Sequence, residues 1–277
     1  MKTSILSRLL ALCLSFPAFF SANAEDDSAA LSKYSYPIFA LSGTTQFTGT
    51  AFFYRSGDVT FLVSNYHAIK GMSPLKQSMT FDSDTLFLKY PVKYSDETKL
   101  LPIDVSEETT GQTEIFSMVD RIDLLKIPLR LPEDADICFI NDLIDPAYFD
   151  ATPEEVLVFG FPAEAGPVPT FYSRQQRLDG RVNLQGFADY DESLRVNFPN
   201  SSDSARAILG GTSRYYYFIR PYAAQGYSGA PVIGRFRKAD NKVIYRFIGV
   251  IFAGQPLTQQ TWAIKGSVAL QYLRGDL

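Results

Sequence analysis

Cysteine and histidine are the scarce residues of this chain. Its 277 residues include two cysteines and one histidine. Cys13 lies within an apolar N-terminal run, so a chain cut behind that run keeps only Cys138. One cysteine makes no intramolecular disulfide, and one cysteine with one histidine makes no Cys/His metal cluster. That disfavours a zinc enzyme and leaves a carboxylate-bound calcium site open. Basic runs and basic stripes are also missing, and the net charge is −4. Nucleic acid and anionic membranes are therefore disfavoured as partners. Helical periodicity is scarce, and there is no repeat of fixed period and no low-complexity tract.

The N-terminus has its own pattern. Lys2 and Arg8 give a basic start, residues 9–20 are almost wholly apolar, and Ala22-Asn23-Ala24 precedes the acidic Glu25-Asp26-Asp27. This is the pattern of a secretory signal peptide over residues 1–24, too short and wrongly flanked for a membrane span. Leu12 before Cys13 disfavours lipoprotein processing. The expectation is an exported protein, periplasmic or secreted, with no membrane span after signal removal. Removal takes two of the 26 basic residues and none of the 30 acidic ones, which brings the net charge to −6. Residues 25–33 are polar and small and read as a flexible segment.

From Tyr34 onwards, short runs rich in Val, Ile, Phe, Tyr and Thr alternate with Gly, Pro, Asp and Ser. The clearer ones are 36–41, 47–54, 59–64, 85–90, 113–119, 137–140, 156–161, 181–184, 194–198, 215–220 and 243–252. Each has strand length and the turns recur at short intervals, which predicts an all-β fold of barrel or sandwich type. Residues 142–155, with Pro146 and Pro153, read as the connection between two halves. Residues 163–169 read as irregular and 198–211 as a surface loop. A helical turn is expected near His67–Lys70 and a short helix over 267–274.

Two stretches carry chemistry. The first is Gly49-Thr50-Ala51-Phe52-Phe53, then the turn Ser56-Gly57-Asp58, then Leu62-Val63-Ser64-Asn65-Tyr66-His67. It reads as a hairpin whose second strand ends in the only histidine, a group suited to shuttling protons near neutral pH. The second is Gly226-Tyr227-Ser228-Gly229-Ala230-Pro231-Val232. Glycines before and after the serine allow a tight turn whose N–H groups converge on one oxygen. A serine hydroxyl needs both a base and such an oxyanion hole to become a nucleophile.

Together these motifs resemble the histidine and serine motifs of trypsin-like (chymotrypsin-fold) serine peptidases, most closely the bacterial, disulfide-poor branch. The resemblance runs in order along most of the chain from residue 34 at the level of motifs. It implies a peptidase domain over 34–277: a six-stranded antiparallel barrel over about 34–145, a second over about 146–265, and a C-terminal helix at about 266–275. It also implies that an aspartate lies between His67 and Ser228.

Asp123 and Asp136 compete for that place, each heading an apolar stretch. Family members carry a small residue two positions after the aspartate, which favours Cys138 over Leu125. Leu131-Pro132-Glu133 matches a proline-containing approach. Val156-Leu157-Val158-Phe159-Gly160-Phe161-Pro162 stands at the family's interval from Asp136. The expected triad is therefore His67, Asp136 and Ser228, with Asp123 second.

The resemblance implies that Ser228 attacks a carbonyl, with His67 as general base and acid and the aspartate orienting it. Gly226 and Ser228 N–H groups would form the oxyanion hole. Tyr222, Phe252 and Gly254 would line the specificity pocket, small or apolar because no acid stands at Tyr222. No cofactor and no metal is implied, and the substrate would be protein or peptide. No Ile-Val-Gly-Gly-like stretch precedes the first strand, so activation by an inserted amino terminus is not expected, nor is a tethered peptide-binding module. Two alternatives stay open: an inactive binding protein, with Phe252 or Tyr227 closing the cleft, and a serine esterase. Cys138 is expected to be buried in a strand and inert.

Overall fold

The computed structural model describes residues 24–42, 45–71, 83–106, 122–162, 174–182, 215–256 and 259–276. The chain forms two units, Met1–Leu31 and Ser32–Leu277. The described part of the first is residues 24–31, all within helix α1, Ala24–Ser32. A flexible segment was expected there. Ala and Leu favour helix. The cleavage pattern over residues 1–23 lies outside the described residues. Among the described residues no helix is long and apolar enough to cross a membrane.

The second unit is built of strands. Six form one antiparallel sheet: β1 Tyr36–Ser42, β2 Thr45–Ser56, β3 Val59–Ser64, β4 Thr85–Pro91, β5 Thr98–Asp104 and β6 Leu125–Pro128, in the order β5-β4-β1-β2-β3-β6. β2 curls this sheet by changing partners along its length. Its first part pairs with β1, Tyr36 opposite Ala51, and its last part with β3, Phe52 opposite Val63. The enclosed core includes Ile38, Phe53, Leu62, Leu88 and Ile127.

Six more strands form a closed barrel: β7 Glu155–Gly160, β8 Gln176–Val182, β9 Tyr216–Arg220, β10 Pro231–Arg237, β11 Val243–Gln255 and β12 Gln260–Lys265, in the order β10-β11-β12-β9-β8-β7. Val156, Val158, Ile219, Val232 and Ile248 fill it. Among the described residues this unit also holds two short α-helices, α2 Tyr66–Lys70 and α3 Gly266–Arg274. The fold is thus mostly β, with two six-stranded antiparallel barrel-like sheets and a short C-terminal helix. Across the two sheets Phe52 and Phe247, both fully buried, set their rings 5.9 Å apart.

Several expected strands differ in detail. Residues 137–140 make no strand: Phe139 forms one isolated bridge to Phe53, and a 3-10 turn follows over Ile140–Leu143. β5 escapes the sequence pattern because its residues are mostly exposed, leaving little alternation to read. The runs at 113–119 and 194–198, the irregular 163–169 and the loop at 198–211 lie outside the described residues. Cys138 is half-buried rather than buried in a strand; its N–H donates to the Tyr36 hydroxyl at 2.8 Å. Burial pushes its thiol pKa up, which keeps the thiolate scarce.

Candidate active site

Strand register brings the first two groups together. β3 leads straight into Asn65 and α2, and its antiparallel neighbour β6 sets Leu125 opposite Ser64. Residues just after β3 must therefore meet those just before β6. His67 meets Asp123.

The Asp123 carboxylate, 1% exposed, accepts from His67 twice: Oδ1 from the backbone N–H at 3.0 Å, and Oδ2 from ring Nδ1. A carboxylate there keeps the proton on Nδ1 and leaves Nε2 with a free lone pair. Nε2 lies 2.9 Å from Ser228 Oγ. The residue before His67's helix helps to fix this arrangement. Asn65 stands at the N-cap of α2 without capping it, because its side-chain Nδ2 donates instead to the Asp123 carbonyl at 2.6 Å.

The His67 side chain keeps 26% of its surface exposed. Burial pulls its pKa down, but the Asp123 charge and hydrogen bond outweigh that and leave it raised above 6.5.

Asp136, the first expectation for this partner, stands elsewhere. It is exposed, its N–H donates to the Pro91 carbonyl at 2.9 Å, and its neighbour Ala135 bridges to Val92. The reason is topological. Asp136 belongs to the connection behind β6, which returns along the end of the β4–β5 hairpin, and no strand pairing carries it back to His67. The interval to Gly160-Phe161-Pro162 misled because the stretch between β6 and β7 is long.

Ser228 lies on the turn between β9 and β10. Gly226 and Gly229 there have φ of 99° and 86°, the left-handed region that favours glycine. At Gly229 space forbids a side chain as well. A Cβ would stand 2.1 Å from the Thr50 carbonyl oxygen and 2.2 Å from Ser64 Oγ. Ser64 Oγ donates to that carbonyl at 2.7 Å, and the Thr50 N–H donates to the Ser228 carbonyl at 2.8 Å. The serine turn of the second barrel is thus seated on β2 and β3 of the first sheet. Among the described residues the N–H groups of Gly226 and Ser228 find no acceptor, as an oxyanion hole requires.

The side chains beside the serine are turned inward. Tyr227 lays its ring over Gly160, where a Cβ would stand 2.3 Å from Tyr227 Cδ1, and donates its hydroxyl to the Gln176 carbonyl at 3.2 Å. Phe252 is the extra residue of a β-bulge, since Ile251 pairs with Ala263 but Ala253 pairs with Trp262. Its ring is buried, 4.6 Å from Tyr216 and 6.0 Å from Trp262. Of the three expected pocket residues, Tyr222 and Gly254 are in contact: a Cβ on Gly254 would stand 2.6 Å from Tyr222 Cε2.

The reading of the sequence gave no role to Thr50, Ser64 or Asn65. Among the hairpin's other polar residues nothing in the sequence singles them out, but in the fold all three are fully buried and hydrogen-bonded. Among the described residues no group of three or more His, Cys, Asp or Glu could hold a metal ion.

No family model and no curated protein sequence matches the chain. Several solved structures are similar to it. An inactive serine-to-alanine mutant of Rv3671c from M. tuberculosis is 16% identical, with a TM-score of 0.46 and 89% of each chain covered. A serine endoprotease from Yersinia pestis is 12% identical, with a TM-score of 0.45; the match covers 88% of this chain and 62% of that one. The thermostable serine protease AL20 from an extremophilic microorganism is 13% identical, with a TM-score of 0.49, covering 87% of this chain and 95% of that one. With two six-stranded antiparallel units, a histidine behind β3 of the first and a serine turn before β10 of the second, the chain is similar in fold to these solved serine proteases.

Proposed function

We propose that the protein is an exported serine endopeptidase whose triad is His67, Asp123 and Ser228. The observation that carries this reading is the continuous chain from the Asp123 carboxylate through both nitrogens of His67 to Ser228 Oγ. Ser228 Oγ attacks the peptide carbonyl carbon while His67 Nε2 takes its proton. The resulting oxyanion is received by the N–H groups of Gly226 and Ser228. The imidazolium, held by Asp123, returns the proton to the amine as the C–N bond breaks, leaving an acyl group on Ser228. Water then repeats the two steps and releases the acid. This is the general serine-triad scheme. The Tyr222 ring against Gly254 favours substrates with a small or apolar side chain before the scissile bond.

A binding protein on the same fold would need a closed cleft. Tyr227 and Phe252, the residues that could close it, send their rings into the body of the protein, which supports turnover.

The test is labelling with a fluorophosphonate, mapped by mass spectrometry, beside hydrolysis of a peptide library and of short acyl esters. The expected result is a single adduct on Ser228 and cleavage of peptides. Ester cleavage without peptide cleavage would replace the peptidase with an esterase, and a folded protein that takes no label would overturn both.

A further inference from the structure

Beyond its backbone contact with Ser228, Thr50 makes a second connection through its side chain. It is fully buried in β2. Its hydroxyl donates to the Gly226 carbonyl at 2.8 Å and accepts from the Phe161 N–H at 3.1 Å. Its N–H donates to the Ser228 carbonyl, so one residue of the first sheet holds the serine turn at two carbonyls, on either side of Tyr227. Phe161, just behind β7, fixes the hydroxyl's direction. With its lone pair engaged by Phe161, the hydroxyl proton points at Gly226.

The need for such a hold follows from glycine. Gly226 sits at φ 99° with no side chain, and a peptide flanking a glycine rotates at little steric cost. The Gly226 N–H belongs to the Gln225–Gly226 peptide and the Ser228 N–H to the Tyr227–Ser228 peptide, so the Gly226–Tyr227 plane between them sets the direction of one donor relative to the other. Preorganised donors act because they need no reorganisation when charge develops. Tyr227 holds the turn from the second barrel, but through its ring and its own hydroxyl.

We propose that the Thr50 hydroxyl is a positioning residue that locks the Gly226–Tyr227 peptide and so aims the Gly226 and Ser228 N–H groups at one point. The catalytic half of this proposal rests on the serine-peptidase reading; the geometric half does not. Thr50→Val keeps the shape and removes the hydroxyl, and Thr50→Ser keeps the hydroxyl and removes the methyl.

The experiment measures the Gly226 amide resonance in 15N-glycine-labelled protein together with the rate of fluorophosphonate labelling, in wild type and both variants. Thr50→Val is expected to shift or broaden the Gly226 resonance and to slow labelling about 100-fold, the size of losing one oxyanion donor. Thr50→Ser is expected to restore both. A Gly226 resonance unmoved in Thr50→Val overturns the proposal, as does a serine variant that behaves like the valine one. If the resonance responds as expected but even the wild type takes no label, the positioning role stands and the hydrolase reading falls. Should Thr50→Val not fold, Thr50→Cys, of similar size and a weaker donor, is measured in its place with the same expectations.

Discussion

The two barrel-like sheets contribute to the site by different means. The first supplies His67 and Asp123 through strand register. Once Ser64 pairs with Leu125, the residues just beyond the two strands have no choice but to meet. The second supplies Ser228 on a turn at the end of the β10–β11 ladder, where the Gly229 N–H donates to the Ile251 carbonyl at 2.8 Å; two left-handed glycines shape it and Thr50 and Ser64 seat it. A pair fixed by register is robust, because moving it requires breaking a sheet. A turn fixed by a few buried contacts is vulnerable to changes of a single atom. The acid–base half of the site should therefore fail chemically when altered, and the nucleophile half should also fail sterically.

The largest effect probes both halves at once. Ser228→Ala and His67→Ala are each expected to lower kcat by about 10^6-fold, with the double variant hardly worse, because the groups act as a unit. Steady-state hydrolysis of one peptide reads this. Additive losses would contradict a shared step.

Next comes the contrast between the aspartates. Asp123→Asn is expected to cost about 10^4-fold in kcat, as in the general triad template, by releasing the imidazole tautomer. Asp136→Asn, exposed and on the far connection, is expected to leave kcat unchanged.

The nucleophile turn is tested by Gly229→Ala. A methyl 2.1 Å from the Thr50 carbonyl forces the turn off its seat. Left-handed strain alone amounts to about 1–3 kcal/mol, which lowers Tm by roughly 2–12 °C in a domain of this size, together with a loss of labelling. Unaltered labelling and melting would mean that the turn is not held as described.

The pH dependence is a gentler probe of the first half. His67 must be neutral to act as base, and Asp123 raises its pKa above 6.5. Activity should rise with pH through a midpoint above 6.5, and Asp123→Asn should move the NMR titration of His67 downward. The sign for stability is opposite. A raised folded pKa gives stabilisation that is full below the unfolded value near 6.5 and is lost as pH rises through the folded value. The fold is thus slightly steadier where His67 is protonated and cannot act as a base.

The smallest effect lies away from the chemistry. Lys126 of β6 donates from Nζ to the carbonyls of Tyr272 and Leu273 at 3.1 and 3.0 Å, tying down the end of α3, and burial lowers its pKa. Lys126→Met is expected to lower Tm by a few degrees, consistent with about 1–3 kcal/mol for charged hydrogen bonds lost. Little change in kcat is expected, since β6 stays paired with β3.

Much of the fold was legible because short runs such as 59–64 and 156–161 bury alternate or continuous apolar residues and end at turns. His67 and Ser228 were legible because a lone histidine behind a strand and a serine between glycines are both unusual. The aspartate was not, because its place depends on which strand pairs with β3. Residues 137–140 are as apolar as β6, yet they form a single bridge and then a 3-10 turn, so the small residue at 138, the proline approach and the interval to residues 160–162 favoured a stretch that joins no sheet. Thr50 and Asn65 were illegible for a related reason. Their bonds reach carbonyls 176 and 58 residues away, at Gly226 and Asp123, which only the folded chain brings near.

The central claim is that Asp123, through His67, activates Ser228, and its most direct test compares fluorophosphonate labelling rates in wild type, Asp123→Asn and Asp136→Asn at pH 8. An adduct on Ser228 is expected in all three, slowed by orders of magnitude only in Asp123→Asn. Equal rates in the first two, or a collapse in Asp136→Asn alone, would contradict it.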